Sequence, residues 1–308
     1  MKKNKEIVPE LYRDINELYN SGQIKEAMRL TREYSETLGQ PFYFAHNYFP
    51  HYPIRNYDAK TVFVHLNPGI DIGKVNSIED FQKQKWNGCF MNNEVLKGIN
   101  SAEELVEKYN YEWEWYARKR FGEKKQKDNF DFKQACFLKN WPDNGIDLQN
   151  GNVNDIQTVN TINVIDQKLQ LELFPYGSNT ISTNLLATIF KKNHELISPF
   201  IEKLFEIISL YPHKYVIFGS SIYHTLFLLY DNRVKKIIEF ISPKQKFEGV
   251  TKNALYFTYI KLKWNDKIID AGIAHSFPRR DLPNAYAKME KYGELSAAYF
   301  LKSQKEHS

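Results

Sequence analysis

Two short polar tips, each closing an apolar run, hold the residues of this chain best suited to chemistry. Residues 62 to 69 read Val-Phe-Val-His-Leu-Asn-Pro-Gly, so the first run stops at Asn67-Pro68-Gly69. Near the other end, the apolar run through Ala274 passes into His275-Ser276-Phe277-Pro278-Arg279-Arg280. An amide can hold a water or read the edge of a base, and an imidazole can donate a hydrogen bond to an oxygen that gathers charge. Arg279, Arg280 and the Ser276 hydroxyl suit phosphate oxygens, with Pro278 stiffening their presentation. Pro68 biases Asn67 to extended backbone, and Gly69 lets a ligand approach the main chain. If both runs are strands lying parallel in one sheet, both tips emerge at its carboxyl edge, where open α/β folds build their crevices. Each tip also has a plainer reading, as a strand-ending turn or a salt-bridged surface turn.

The elements that must position these tips follow from periodicity. Residues 8–20 and 23–38 carry helical spacing around Ser21-Gly22, which predicts an N-terminal helical hairpin in an extension spanning 1–45, ahead of a core spanning 46–308. Residues 41–53 are aromatic and proline-rich and read as an ordered loop. His46 and His51 there lack a nearby third ligand, and neither a metal nor another cofactor is expected. A strand is predicted at 61–66, then a polar, mostly helical insertion around the site at about 75–160. A second strand at 167–174 ends in Phe174-Pro175-Tyr176-Gly177-Ser178. Ser198-Pro199 predicts an N-cap and first turn for a helix with the stripe Ile201, Leu204, Phe205 and Ile208. Tyr215–Phe218 runs into Gly219-Ser220-Ser221 and another helical stretch. Strands alternating with helices predict an α/β fold whose sheet is parallel at its centre. Residues 254–263 and 267–275 alternate around Asn265-Asp266, which predicts a hairpin and an antiparallel edge. A closing helix is predicted at about 284–302.

Bulk properties bound the partners. The chain has 308 residues, of which 42% are hydrophobic and 15% aromatic, enough for a substantial core without staples. Cys89 and Cys136 are its two cysteines, too few for a disulfide framework, and a reducing, cytoplasmic setting with buried structural thiols is expected. No stretch approaches a membrane span, and the basic start of the chain leads into no apolar signal core. A formal charge of +5 mildly favours a polyanionic partner, although mixed runs such as Arg118-Lys119-Arg120 read first as solvated faces.

The Leu66-Asn67-Pro68-Gly69 tip resembles the first motif of the uracil-DNA glycosylase superfamily, especially its mismatch-specific branch with Gly-Ile-Asn-Pro-Gly. The His275-Ser276-Phe277-Pro278 tip resembles its second motif, often His-Pro-Ser-Pro. Element order agrees over roughly residues 60–75, 165–225 and 266–300. His65 stands where the first motif usually has glycine, and Ser276 and Phe277 depart from the usual proline and serine. The two cysteines exclude the iron–sulfur branches. The resemblance implies a three-layer α/β sandwich around a mostly parallel sheet, and a metal-free protein that flips a uracil-like or modified base out of DNA and hydrolyses its N-glycosidic bond.

In that chemistry Asn67 would position water and His275 would stabilise charge on the departing base. Extruding a base costs a few kcal/mol, offset by stacking and edge hydrogen bonds. Phe81, Trp86, Phe90 and Phe174 are candidates for an aromatic wall, and Gln170 and Glu172 for reading the base edge, with Pro68, Gly69 and Ser276 lining the same place. Arg279 and Arg280, with Ser178 and the Gly219-Ser220 turn, are candidate phosphate contacts. DNA is the expected partner, and the N-terminal extension is a candidate docking element for a protein. The alternatives are a non-catalytic module of this fold that binds nucleic acid, a base or a protein, and a hydrolase or transferase acting on free nucleosides. Gly69-Ile-Asp-Ile-Gly73-Lys74-Val75 mimics a phosphate loop, but its spacing is too short and Val75 replaces the metal-binding hydroxyl.

Overall fold

The computed structural model describes residues 56–66, 130–150, 154–173, 183–251, 254–275, 277 and 286–308. Asn67, Pro68, Gly69, Phe81, Trp86, Phe90, Phe174, Ser178, Ser276, Arg279 and Arg280 lie outside them, as do the N-terminal extension, His46, His51, Cys89 and most of the 75–160 segment. In chain order the described elements are β1 (Thr61–His65), α1 (Phe130–Leu138), α2 (Asn154–Gln167), β2 (Leu169–Glu172), α3 (Thr183–Lys192) and α4 (His194–Leu210). They continue with β3 (Tyr215–Phe218), α5 (Tyr223–Arg233), β4 (Ile238–Ile241), β5 (Gln245–Phe247), β6 (Leu255–Trp264), β7 (Lys267–Ile273) and α6 (Tyr286–Glu306). Contacts divide the chain into two compact units. One comprises Met1–Arg55, Leu66–Tyr116 and Leu171–Leu204, and the other Asn56–His65, Ala117–Gln170 and Phe205–Ser308.

The strands form one seven-stranded sheet in the order β2-β1-β3-β7-β6-β4, with β5 paired to β6. β1 and β3 are buried along their whole length, which is why they read as unbroken apolar runs. They pair in parallel, Thr61 with Tyr215 through Val64 with Phe218, and β3 pairs in parallel with β7, Val216 with Ala271 through Phe218 with Ile273. The centre is therefore parallel, as the alternation of strands and helices predicts. The other side is antiparallel: β6 pairs with β4, β5 and β7. The β6–β7 turn lies at Asn265-Asp266, where φ is 46° and 62°, the left-handed pair that a two-residue hairpin of type I′ needs and that Asn and Asp tolerate.

Helices cover both faces. On one, Phe63, Tyr215, Ile217, Phe257 and Tyr259 of the sheet join Phe137 of α1, Trp141, and Tyr292 and Phe300 of α6 in a continuous core. Trp141 lies edge-on to Tyr215 at 4.9 Å and Phe300 edge-on to Tyr259 at 5.3 Å. From Phe130 onward, then, the segment read as an insertion contributes to the central packing. On the other face Phe218 meets Phe227 of α5 at 4.9 Å, and Phe205 meets Trp264 at 5.4 Å. Cys136 is a free, buried thiol, and burial pushes its pKa up to about 12. No described helix is long and apolar enough to cross a membrane.

The start of α4 corrects one expectation. The helix begins at His194, after the single residue Asn193, and continues through Ser198 and Pro199. Ser198 does not cap it. Its hydroxyl donates to the His194 carbonyl at 2.6 Å from inside the helix. Ile197 is fully buried and Ile201 nearly so, so the apolar stripe extends one turn ahead of Ser198, and its burial outweighs an interior proline's cost of about 3 kcal/mol.

α6 and α1 touch backbone to backbone at Gly293, where an added Cβ would lie 1.9 Å from the Phe137 carbonyl oxygen. No side chain fits there. Gly293→Ala should force the helices apart and cost about 3 kcal/mol, read as a lower urea midpoint. Unchanged stability would show that this crossing is not tightly packed in solution.

Candidate functional site

The parallel register brings three strand ends to one edge. Gly219 N–H donates to the Val64 carbonyl at 2.8 Å, and Ala274 N–H to the Phe218 carbonyl at 2.8 Å. His65, Gly219 and Ala274 thus stand at the same level at the ends of β1, β3 and β7, with His275 one residue beyond. Because β2 flanks β1 on one side and β3 on the other, connections diverge between β1 and β3, the position at which open α/β sheets form a crevice.

Phe277, two residues beyond His275, is completely buried and reaches the tip of β1. Its ring is edge-on to Phe63 at 5.3 Å and to His65 at 6.3 Å, and it also meets Phe137 at 5.2 Å. The two chain segments singled out by their sequences therefore meet across β3. His275 itself faces the other way: its ring lies 5.8 Å from that of Tyr256 on β6, with the Lys244 ammonium 4.4 Å from the Tyr256 ring centre. The His275 N–H donates to the Tyr292 hydroxyl at 2.8 Å, which in turn donates to the Tyr256 carbonyl at 2.7 Å. Nearby, the His224 imidazole bonds the Thr258 hydroxyl at 2.7 Å, and burial, then the charge of Lys244, holds its pKa below the usual value.

Of the other predicted site residues that are described, Gln170 is half-buried in β2. The Ser220 hydroxyl accepts from the Ile222 N–H at 3.4 Å and shapes the turn into α5. Gly219 has a steric role: a Cβ there would lie 2.9 Å from His65 Nδ1 and 3.3 Å from the Phe277 ring. The missing side chain is what lets the imidazole lie across the end of β3.

A buried polar relay behind His65 is absent from the sequence-based site. The Lys168 ammonium, its side chain only 1% exposed, donates to Asp131 Oδ1 and to Gln134 Oε1. Gln134, fully buried, places its amide nitrogen 2.9 Å from His65 Nε2. Phe63 and Phe130 wall the ammonium, their ring centres 6.0 and 5.5 Å away. Asn56 donates to the Asp166 and Lys168 carbonyls at 2.8 and 2.9 Å, fixing the backbone from which Lys168 extends. Burial, and then the charge of Lys168, holds the His65 pKa well below its usual value, so the imidazole is neutral at pH 7. The signals available in the sequence were a histidine closing an otherwise apolar strand, and Asp131 and Gln134 three residues apart on one helix face. Among the described residues no group of three His, Cys, Asp or Glu side chains could hold a metal ion.

No family model, curated protein or solved structure matches this chain.

Two outcomes follow from the relay. Lys168→Ala removes the buried ammonium from the Asp131 carboxylate, 11% exposed, and should cost about 3–5 kcal/mol in urea unfolding. A Lys168→Met/Asp131→Leu double variant should lose less than the sum of the singles, and strict additivity would mean the pair is not coupled. The second outcome concerns pH. The unfolded chain binds a proton at His65 near pH 6.5 and the folded chain does not, so this contribution is intact above 6.5 and is lost as pH falls below it. His65→Asn should flatten the slope of stability below pH 6.5 by up to about 1.4 kcal/mol per pH unit, with His213 and His224 retaining their share. An unchanged slope would mean that His65 is protonated in the fold.

Proposed function

We propose that this chain is a base-handling protein of the uracil-DNA-glycosylase-like kind, which holds a flipped base at the carboxyl edge of the sheet and hydrolyses its N-glycosidic bond without a metal. The observation that carries this reading is the meeting of the two motif-bearing segments, through the Phe277 ring against Phe63 and His65 at the ends of parallel strands. The reaction needs a held water at the sugar and a donor at the departing base. Asn67, two residues past His65, is the water-positioning candidate. His275 is the candidate donor, and its backbone is pinned by Tyr292. Breaking the bond puts negative charge on the base and oxocarbenium character on the sugar, so donors arranged before reaction stabilise the transition state more than the substrate.

A specific observation favours a second reading. The aromatic rings of Phe63, Phe130 and Phe277 crowd around His65, and the His275 ring turns toward Tyr256. That arrangement suits a module that binds nucleic acid or a base without cleaving it.

The two readings part on one assay. Oligonucleotides carrying uracil, mismatched thymine or modified cytosine are incubated with the full chain and probed for abasic sites. The hydrolase reading expects product from at least one substrate, reduced roughly 10²-fold or more by Asn67→Ala and by His275→Ala. Binding that weakens steeply with salt and yields no abasic product supports the binding module. Product that survives both substitutions overturns the assignment of these two residues.

A further inference from the structure

The relay behind His65 determines where that ring carries its proton. Lys168 can only donate, so the Gln134 atom that receives its hydrogen bond is the carbonyl oxygen Oε1. The Gln134 amide nitrogen must then face His65, and it too is a donor, so Nε2 of the imidazole accepts. A neutral ring that accepts at Nε2 carries its proton on Nδ1. That atom lies at the carboxyl edge, 2.9 Å from where a Gly219 side chain would begin, and no described residue bonds to it. The residue is 7% exposed. A donor nine-tenths buried, oriented by three other side chains and lying against Gly219 at the end of β3, has the construction of a ligand contact.

We propose that His65 presents its Nδ1–H to a carbonyl oxygen of a nucleobase at the ends of β1 and β3, with Gln134 and Lys168 as the positioning residues that hold the proton there. The identity of the acceptor rests on the base-handling reading above, whereas the tautomer rests on the hydrogen-bond geometry alone. A carbonyl fits better than a phosphate for two reasons. The Lys168 ammonium is turned inward, bonding Asp131 and Gln134, so the group offered to the ligand by His65 is an uncharged donor. The surfaces beside it are the rings of Phe130, at 4.7 Å, and Phe277, at 6.3 Å, which suit a flat heterocycle. Charge gathering on the carbonyl would be met by polarisation along Lys168, Gln134 and His65, with no proton leaving the ring.

The test is nuclear magnetic resonance on the full chain with ¹⁵N-labelled histidine, the His65 signals being assigned by their absence in His65→Asn. The expected wild-type spectrum shows a neutral ring protonated at Nδ1, and adding free uracil moves that Nδ1–H resonance. A ring protonated at Nε2, an imidazolium at pH 7, or no response to uracil would each overturn the proposal. Gln134→Glu replaces the donor facing Nε2 with an acceptor, so the proton should move to Nε2 and the response to uracil should disappear. Gly219→Ala leaves the relay in place but crowds Nδ1. The Nδ1–H form should persist there while uracil binding weakens about tenfold, the worth of one hydrogen bond. An unchanged response in both variants also overturns the proposal. The outcome is separable from the glycosylase assay. An Nδ1–H ring that responds to uracil, with no abasic product from any oligonucleotide, would sink hydrolysis alone, and abasic product from a chain whose His65 is protonated at Nε2 would sink this inference alone.

Discussion

The organisation of the carboxyl edge depends on one buried ammonium group. Lys168 is almost wholly withdrawn from water, and a cation in that position is tolerable only with a counter-charge and further acceptors around it. Asp131 and Gln134 of α1 meet that demand, which ties the start of β2 to a helix distant in sequence. Gln134, once its oxygen is committed to the lysine, has its amide hydrogens left for His65 at the end of β1. A requirement of solvation thus becomes a chain of orientations running through three elements. The aromatic rings around it keep water out and hold the hydrogen bonds in a medium where they are strong.

Much of the scaffold was legible in the residues. The all-apolar runs of β1 and β3, the Asn265-Asp266 hairpin and the amphipathic closing helix each carry a local signature that packing reinforces. The start of α4 was misread because Ser198-Pro199 has the form of an N-terminus, while the buried stripe beginning at Ile197 is a tertiary fact. That β1, β3 and β7 end at one edge was also foreseeable, since parallel strands in one sheet share their carboxyl side. The Lys168 relay was not. Asp131 and Gln134 sit in the segment read as polar and helical and Lys168 in a predicted strand, and what joins them is the reach of long side chains across the fold. His65 was noticed as a departure from a glycine-bearing motif, and Gly219 as a phosphate contact. Only the cross-strand register shows that the absent side chain of Gly219 makes room for His65.

The contrast between His65 and His275 is instructive because the two rings follow parallel strands on either side of β3. One is neutral, walled by phenylalanines and oriented from behind by a cation. The other sits beside Tyr256, with Lys244 on that tyrosine's ring. Phe277 packs against the first of them, edge-on to the His65 ring at 6.3 Å. Identical side chains are thereby given different electrostatic surroundings within one short stretch of sheet edge.

Tyr292 carries a further implication. Its hydroxyl is inserted where β6 and β7 would otherwise pair beyond Thr258 and Ile273, accepting a hydrogen bond from the His275 N–H and donating one to the Tyr256 carbonyl. A bridging phenol oxygen spans two hydrogen bonds, of 2.8 and 2.7 Å, where a direct amide-to-carbonyl rung would span one. Since that oxygen is mounted on α6, the helix itself supplies the rung that holds the ends of β6 and β7 together.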